Sequence, residues 1–271
     1  MSAVIVVLLT LTLFAVNAVF HSTKVTKTRA TIQKLDVALQ QIFGMYEEKF
    51  AAVKRAVARD YPDIVDEEEQ QKIAAHFIRD LMRMEMPQCW AEVLSDPLVM
   101  MLNSTNYSVE ALPLLEYYRE AYNNAAGTSP CRAALLFLIV QNLNPEALEA
   151  FHGSEVAANA DGLLEFVDAW GRPIQFLRWV PGFLDSDLLR KDIRDPTDER
   201  EDAAGWLLYP LIYSAGHDGK YGIDDGGETP PTLGGDGILD PFDAPYSNIG
   251  APDGTKGHFD NIHNHLRYRS F

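Results

Sequence analysis

From Ala3 to Phe20 the chain carries no charged side chain, and Lys24, Lys27 and Arg29 follow at once. A charge-free run of this length is long enough to cross a bilayer as a helix. Beyond it, Ile32, Leu35, Leu39, Ile42, Tyr46, Phe50, Val53 and Val57 recur every three or four positions, which sets them on one stripe of an α-helix. No proline occurs between Ala3 and Tyr61, and Gly44 is the only glycine there. The pattern therefore predicts one continuous helix that ends near Pro62. Such a helix is roughly 90 Å long, more than a single domain core covers, so its stripe is expected to need a neighbouring surface.

After Pro62 the apolar spacing continues in shorter segments. Acidic residues between Asp63 and Glu69 lead into Ile73, Phe77, Leu81 and Met84, predicting a helix over 66–86 whose negative first turn suits the helix dipole. Short helical segments are expected at 88–94 and 145–151, and longer ones at 109–123 and 131–142. The last of these is apolar almost throughout and reads as a buried core helix, too short to span a membrane. The texture changes after Ser154. Leu163–Val167, Pro173–Val180 and Leu207–Ser214 are rich in β-branched and aromatic residues and are separated by turn residues, which predicts a small antiparallel sheet. Trp170-Gly171-Arg172-Pro173 falls at its hairpin turn. Twelve of the eighteen glycines lie from Gly205 onward, and 216–257 reads as one long irregular loop. The expected fold class is α+β. Residues 1–62 form a transmembrane and stalk helix, 63–151 a helical insert, and 152–271 a small C-terminal antiparallel sheet region with a Gly/Asp-rich loop.

Charge narrows the partners. A formal net charge of -16 argues against nucleic acid and against an anionic lipid surface, because phosphate binding needs clustered Lys and Arg; divalent cations suit such a chain better. Cys89 and Cys131 are the only cysteines, so there is neither a disulfide framework nor a CxxC metal signature, and two separate buried thiols are expected. Asn103-Ser104-Thr105 and Asn106-Tyr107-Ser108 are glycosylation sequons that matter only in a eukaryotic secretory route.

Chemistry concentrates in Ser214 to Gly227, where carboxylates alternate with glycines that permit sharp turns. Such a loop can gather oxygens around Ca²⁺, although its spacing is not that of an EF-hand; the alternative is a solvated acidic loop. Asp236, Asp240 and Asp243 extend the same acidic surface. His258, Asp260, His263 and His265 have types suited to Zn²⁺ but lack the HExxH spacing, and read as a solvated tail. No GxSxG, Walker A, GxGxxG or Cys-His nucleophile pattern is present.

Taken together, these features resemble a known family. An apolar N-terminal helix continues into an amphipathic one, Asp168-Ala169-Trp170-Gly171-Arg172-Pro173 leads into Ile174-Gln175-Phe176, and a strand ends in Ile212-Tyr213-Ser214-Ala215-Gly216-His217-Asp218-Gly219. The combination resembles type IV pilin-like proteins, and more narrowly the major pseudopilins of type II secretion systems. Ala169 stands where the family usually has Pro, the leader ending in Gly and the Phe-Thr-Leu-Ile-Glu opening are not present, and the block from Asp63 to Phe151 has no counterpart in a minimal pseudopilin. The resemblance implies a non-enzymatic structural subunit of a filament in the bacterial inner membrane, its domain in the periplasm or cell envelope. It implies self-association through the N-terminal helix, and as partners other pilins or pseudopilins and an inner-membrane assembly platform. It also implies a Ca²⁺ site with Asp218 and Asp224 or Asp225 as ligands.

Two other functions fit the residues: a membrane-tethered binding domain that never polymerises, and a metal-dependent hydrolase using His217, Asp218 and the terminal histidines. Val16-Asn17-Ala18 is an acceptable signal-peptidase site, which would release a soluble domain beginning at Val19. The positive-inside rule, applied to Lys24, Lys27 and Arg29, points to a cytoplasmic domain instead.

Overall fold

A computed structural model describes residues 2–126, 130–181, 183, 210–233, 239 and 248–265. With no proline to break it, Ser2–Asp60 forms one helix, α1, and Pro62 follows its end. Its two parts differ sharply in surroundings. Ile32, Leu35, Leu39, Ile42, Tyr46 and Val57 are buried, whereas Phe14 is 78 % exposed and Phe20 64 % exposed, with Val16 and Val19 exposed between them. The amphipathic stripe is thus covered by the rest of the chain, and the neighbouring surface expected from its length is supplied from within. Among the described residues no helix is long and apolar enough to cross a membrane. The side chains of residues 3–11 and Leu13, over half of the charge-free run, lie outside that description.

Helix α2, Glu67–Glu85, begins where Asp66 accepts the Glu68 N–H at 3.0 Å, with Glu67, Glu68 and Glu69 in the first turn. Helix α3, Trp90–Leu94, is short. Strands β1, Met100–Leu102, and β2, Thr105–Tyr107, make an antiparallel hairpin in a stretch, between the helices expected at 88–94 and 109–123, where the pattern predicts no element. Its two-residue turn, Asn103-Ser104, has φ of 49° and 65°, and Asn tolerates that left-handed region. Helix α4, Pro113–Asn124, starts on proline, and α5, Ala133–Leu143, follows. Residues 133–140 of α5 are all buried, as expected of a central helix with no polar face.

The C-terminal part carries two small antiparallel sheets. Strands β3, Val156–Ala158, and β4, Leu164–Phe166, pair with each other; β5, Gln175–Leu177, β6, Leu211–Ser214, and β7, Ile262–His263, form a sheet of order β5-β6-β7. Strand side chains alternate between faces, and here both faces are covered. Phe176 and Ile212 join the core shared with α1 and α5, while Leu177, Leu211 and Tyr213 join a second cluster with Trp179, Ile223 and Ile249 beneath the long loop. The main core draws on side chains of α1, α2, α3, α4 and α5 together with Phe166, Ile174, Phe176, Ile212 and Ile262. Strand β7 replaces the solvated tail expected after 257: Ser214 pairs with Ile262 and Tyr213 with His263.

Two fully buried ion pairs brace this core, one joining α3 to the end of β5 and one within α2. Arg178, just past β5, grips Glu92 of α3 at 2.7 and 2.9 Å and donates to the Met86 carbonyl at 2.6 Å. Arg83 and Asp80 of α2 pair at 2.7 Å, and Arg83 also donates to the carbonyls of Glu92 and Asp96. Charges this deep are tolerated only when paired and hydrogen-bonded.

Candidate functional site

Asp168 is the centre from which the site is built. It is 2 % exposed, and its Oδ1 accepts the N–H groups of Trp170 at 2.8 Å and Arg172 at 2.9 Å, closing the turn between β4 and β5. Two short amides on one carboxylate are how an Asp fixes a tight turn. Its other oxygen accepts the Ser214 hydroxyl at 2.6 Å, and the Ser214 Oγ in turn accepts the Gly216 N–H at 3.1 Å. The two segments that carried the pilin-like resemblance, 168–173 and 212–219, are therefore parts of one hydrogen-bonded unit. Arg172 reinforces it by donating to the carbonyls of Gly216 at 2.5 Å and His217 at 3.1 Å.

The C-terminal segment completes the unit. Asp260 Oδ2 accepts the N–H groups of His217 at 2.8 Å and Asp218 at 3.0 Å, so this candidate zinc ligand serves as a backbone cap. Gly216 allows that approach: its φ is +61°, and a Cβ there would run into the Asp260 carbonyl. The Tyr221 hydroxyl donates to the Pro173 carbonyl at 2.5 Å, and burial pushes its phenol up to about 12. The turn docks on α1 through Thr28 Oγ1, which accepts the Ala169 N–H at 3.1 Å.

Nearby, four side chains gather where α1 leaves the globular part. The His21 ring lies 5.9 Å from Trp170 and 5.0 Å from His217, Trp170 and His217 are 6.4 Å apart, and Lys24 Nζ stands 5.8 Å from the Trp170 ring centroid. His21 and His217 are exposed, and Lys24 and Trp170 are half-buried.

The carboxylates expected to hold Ca²⁺ are placed differently. Asp218 Oδ1 accepts the Lys220 N–H, Asp224 Oδ1 the Gly226 N–H and Asp225 Oδ1 the Gly227 N–H, each at 2.8 to 3.0 Å and each two residues along the chain. The second Asp225 oxygen pairs with Arg132 at 2.7 Å, and Arg132 also donates to the Asp225 carbonyl at 3.0 Å. Among the described residues no three His, Cys, Asp or Glu side chains converge as a metal site. As placed, these three do not form a calcium cage. Asp236, Asp240 and Asp243 lie outside the described residues.

The terminal histidines also part company. His258 Nδ1 lies 3.2 Å from the Thr255 carbonyl, whereas His265 is buried with Nε2 3.0 Å from the Pro210 carbonyl. His263 and His265 are 6.5 Å apart, each edge-on to Phe183. The Ser214 hydroxyl is fully buried and bonded to Asp168, so it offers no nucleophile to solvent. Cys89 and Cys131 are free thiols; burial pushes Cys89 up to about 12, far from a reactive thiolate.

Sequence reasoning singled out Asp168, Arg172 and Ser214 only as parts of a motif and missed that Asp260 closes the same unit. The Asp-x-Trp-Gly spacing does signal an Asp-initiated turn, but the bond to Ser214 spans 46 positions and has no local signal. No protein-family model, no curated protein and no solved structure matches the chain.

Proposed function

We propose that the protein is a non-enzymatic, pilin-like structural subunit, anchored in the bacterial inner membrane by the first third of α1 with its domain in the cell envelope. The observation that carries this reading is the division of α1. One unbroken helix is buried in its own core over the stripe Ile32–Val57, yet leaves Phe14, Val16, Val19 and Phe20 exposed at the end of a charge-free run. Apolar side chains exposed in series call for lipid or a like helix. The joining of segments 168–173 and 212–219 adds support, since these are the motifs of the resemblance. In this reading neighbouring subunits associate through the projecting part of α1, with an inner-membrane platform as the assembly partner.

Burial of the Ile32–Val57 stripe favours a second reading, a tethered binding domain that does not polymerise, because that stripe asks nothing of a neighbour. Disulfide cross-linking of Val16→Cys in native membranes separates the two. A disulfide-linked dimer, absent from the parent chain with Cys89 and Cys131, is the expected outcome; monomer alone would favour the tether, and extraction by carbonate would remove the anchor itself.

A further inference from the structure

The length of the charge-free run and the position of a ring cluster agree on one level along α1. Ala3 to Phe20 spans about 27 Å as a helix, against about 30 Å for a bilayer hydrocarbon core, so the run ends at His21. At that same level the globular part reaches α1: His21 meets the Trp170 and His217 rings at 5.9 and 5.0 Å, and Lys24, one turn on, lies 5.8 Å from Trp170. Indole rings and lysine stems partition to the lipid headgroup layer, the ring at the apolar boundary and the ammonium reaching phosphate. On α1 no Asp or Glu precedes Asp36, while Lys24, Lys27 and Arg29 do; the carboxylates near the rings, Asp218 and Asp260, lie with the His217 loop, whose backbone Asp260 caps.

We infer that His21, Lys24, Trp170 and His217 form a lipid seat, on which the globular part rests directly in the phospholipid headgroup layer around the exit of α1. This rests on the anchored reading proposed above and adds to it that no free stalk separates domain from membrane. The Thr28–Ala169 bond holds the Trp170 turn on α1, and Asp260 and Arg172 hold the His217 loop beside it. The occupant is the phosphate-bearing surface of a bilayer, since the seat offers the Lys24 ammonium and amphipathic rings side by side and is continuous with the apolar run.

The test uses the full chain reconstituted in phosphatidylcholine vesicles carrying a nitroxide either in the headgroup or at the acyl-chain end. The expected result is that Trp170 emission, taken as the difference between parent and Trp170→Phe, is lost to the headgroup nitroxide and not to the acyl one. A second reporter, an environment-sensitive dye on His217→Cys at an exposed site, should shift to the blue on reconstitution, which covers the case in which Trp170→Phe misfolds. If the chain floats with the vesicles but neither reporter responds, the seat is overturned and the anchor stands. If the chain does not float, the anchored reading fails and the seat with it.

Discussion

The side chain of Asn264 donates a 3.0 Å hydrogen bond to Asp36, which lies 228 positions earlier in the chain. The same amide donates to the Pro210 carbonyl at 2.9 Å and accepts the Ile212 N–H at 2.9 Å, so one buried side chain just past β7 joins α1 to the start of the central strand, β6. Asn264→Leu leaves these partners desolvated and is expected to cost about 2 to 3 kcal/mol. Urea unfolding of the parent and variant checks this; an unchanged midpoint would show that the amide holds nothing.

Arg178 and Glu92 are both fully buried, and neither can be removed alone without stranding a charge. Glu92→Gln is expected to destabilise by about 3 to 5 kcal/mol. The double variant Arg178→Met with Glu92→Leu should lose less than either single change. A double loss equal to the sum of the singles, read from chemical denaturation, would show that the two side chains act independently.

Gly44 sits within α1 with open space where a Cβ would project, and it is exposed. Gly44→Ala should therefore stabilise the fold by about 0.5 to 1 kcal/mol through lower unfolded-chain entropy and better helix propensity. Thermal unfolding reads the gain as a higher Tm, and a lower one would mean that α1 needs a soft point there.

His76 on α2 is fully buried, and burial, partly opposed by the charge of Asp80, lowers its imidazole below the ordinary value. The unfolded chain then takes up the proton first, so stability is complete above about pH 6.5 and falls as pH drops through the interval down to the folded value. Tm against pH should show this slope in the parent and lose it in His76→Gln. Glu155 adds a separate acid loss. Burial raises its carboxyl, but the His152 amide, Lys34 and Thr31 outweigh it and hold it low, so the contribution it makes above the usual Glu range, about pH 4.3, disappears below that.

With Asp225 held by Arg132, Ca²⁺ at about 1 mM should leave the Tm in place. Because Asp218 and Asp224 still cap their own turns, Arg132→Ala should gain no calcium response either; a rise in Tm confined to that variant would show that Arg132 blocks a site. A rise in the parent would mean that Ca²⁺ displaces Arg132.

Much of the helical structure was legible because it rests on local chemistry. The three-to-four spacing of Ile32, Leu35, Leu39 and Ile42 announces a stripe, and Asp66 ahead of Glu67 to Glu69 announces a helix start. The surface covering that stripe was not legible, since amphipathicity says that a face is buried without saying by what. Strand β7 is two residues long and exists only through pairing with β6, so no window around Ile262 could reveal it. Asn103-Ser104 did offer a turn signal, but Met100, Met101 and Leu102 have little β preference to set beside it. At the candidate site, the motif spacing marked the turn and the loop, whereas their union through Asp168, Ser214 and Asp260 is tertiary.

Continuity of α1 has a mechanical consequence. The helix passes from its exposed apolar end into the core with no proline along its length, so a pull on that end is not absorbed by a joint. Axial force travels along the rod and arrives as shear at Thr28 on Ala169, Lys34 on Glu155 and Asp36 on Asn264, spread along about two turns of helix. Contacts loaded together in shear share the strain, whereas contacts peeled in sequence fail one at a time. A load along the axis of α1 is therefore shared by these contacts.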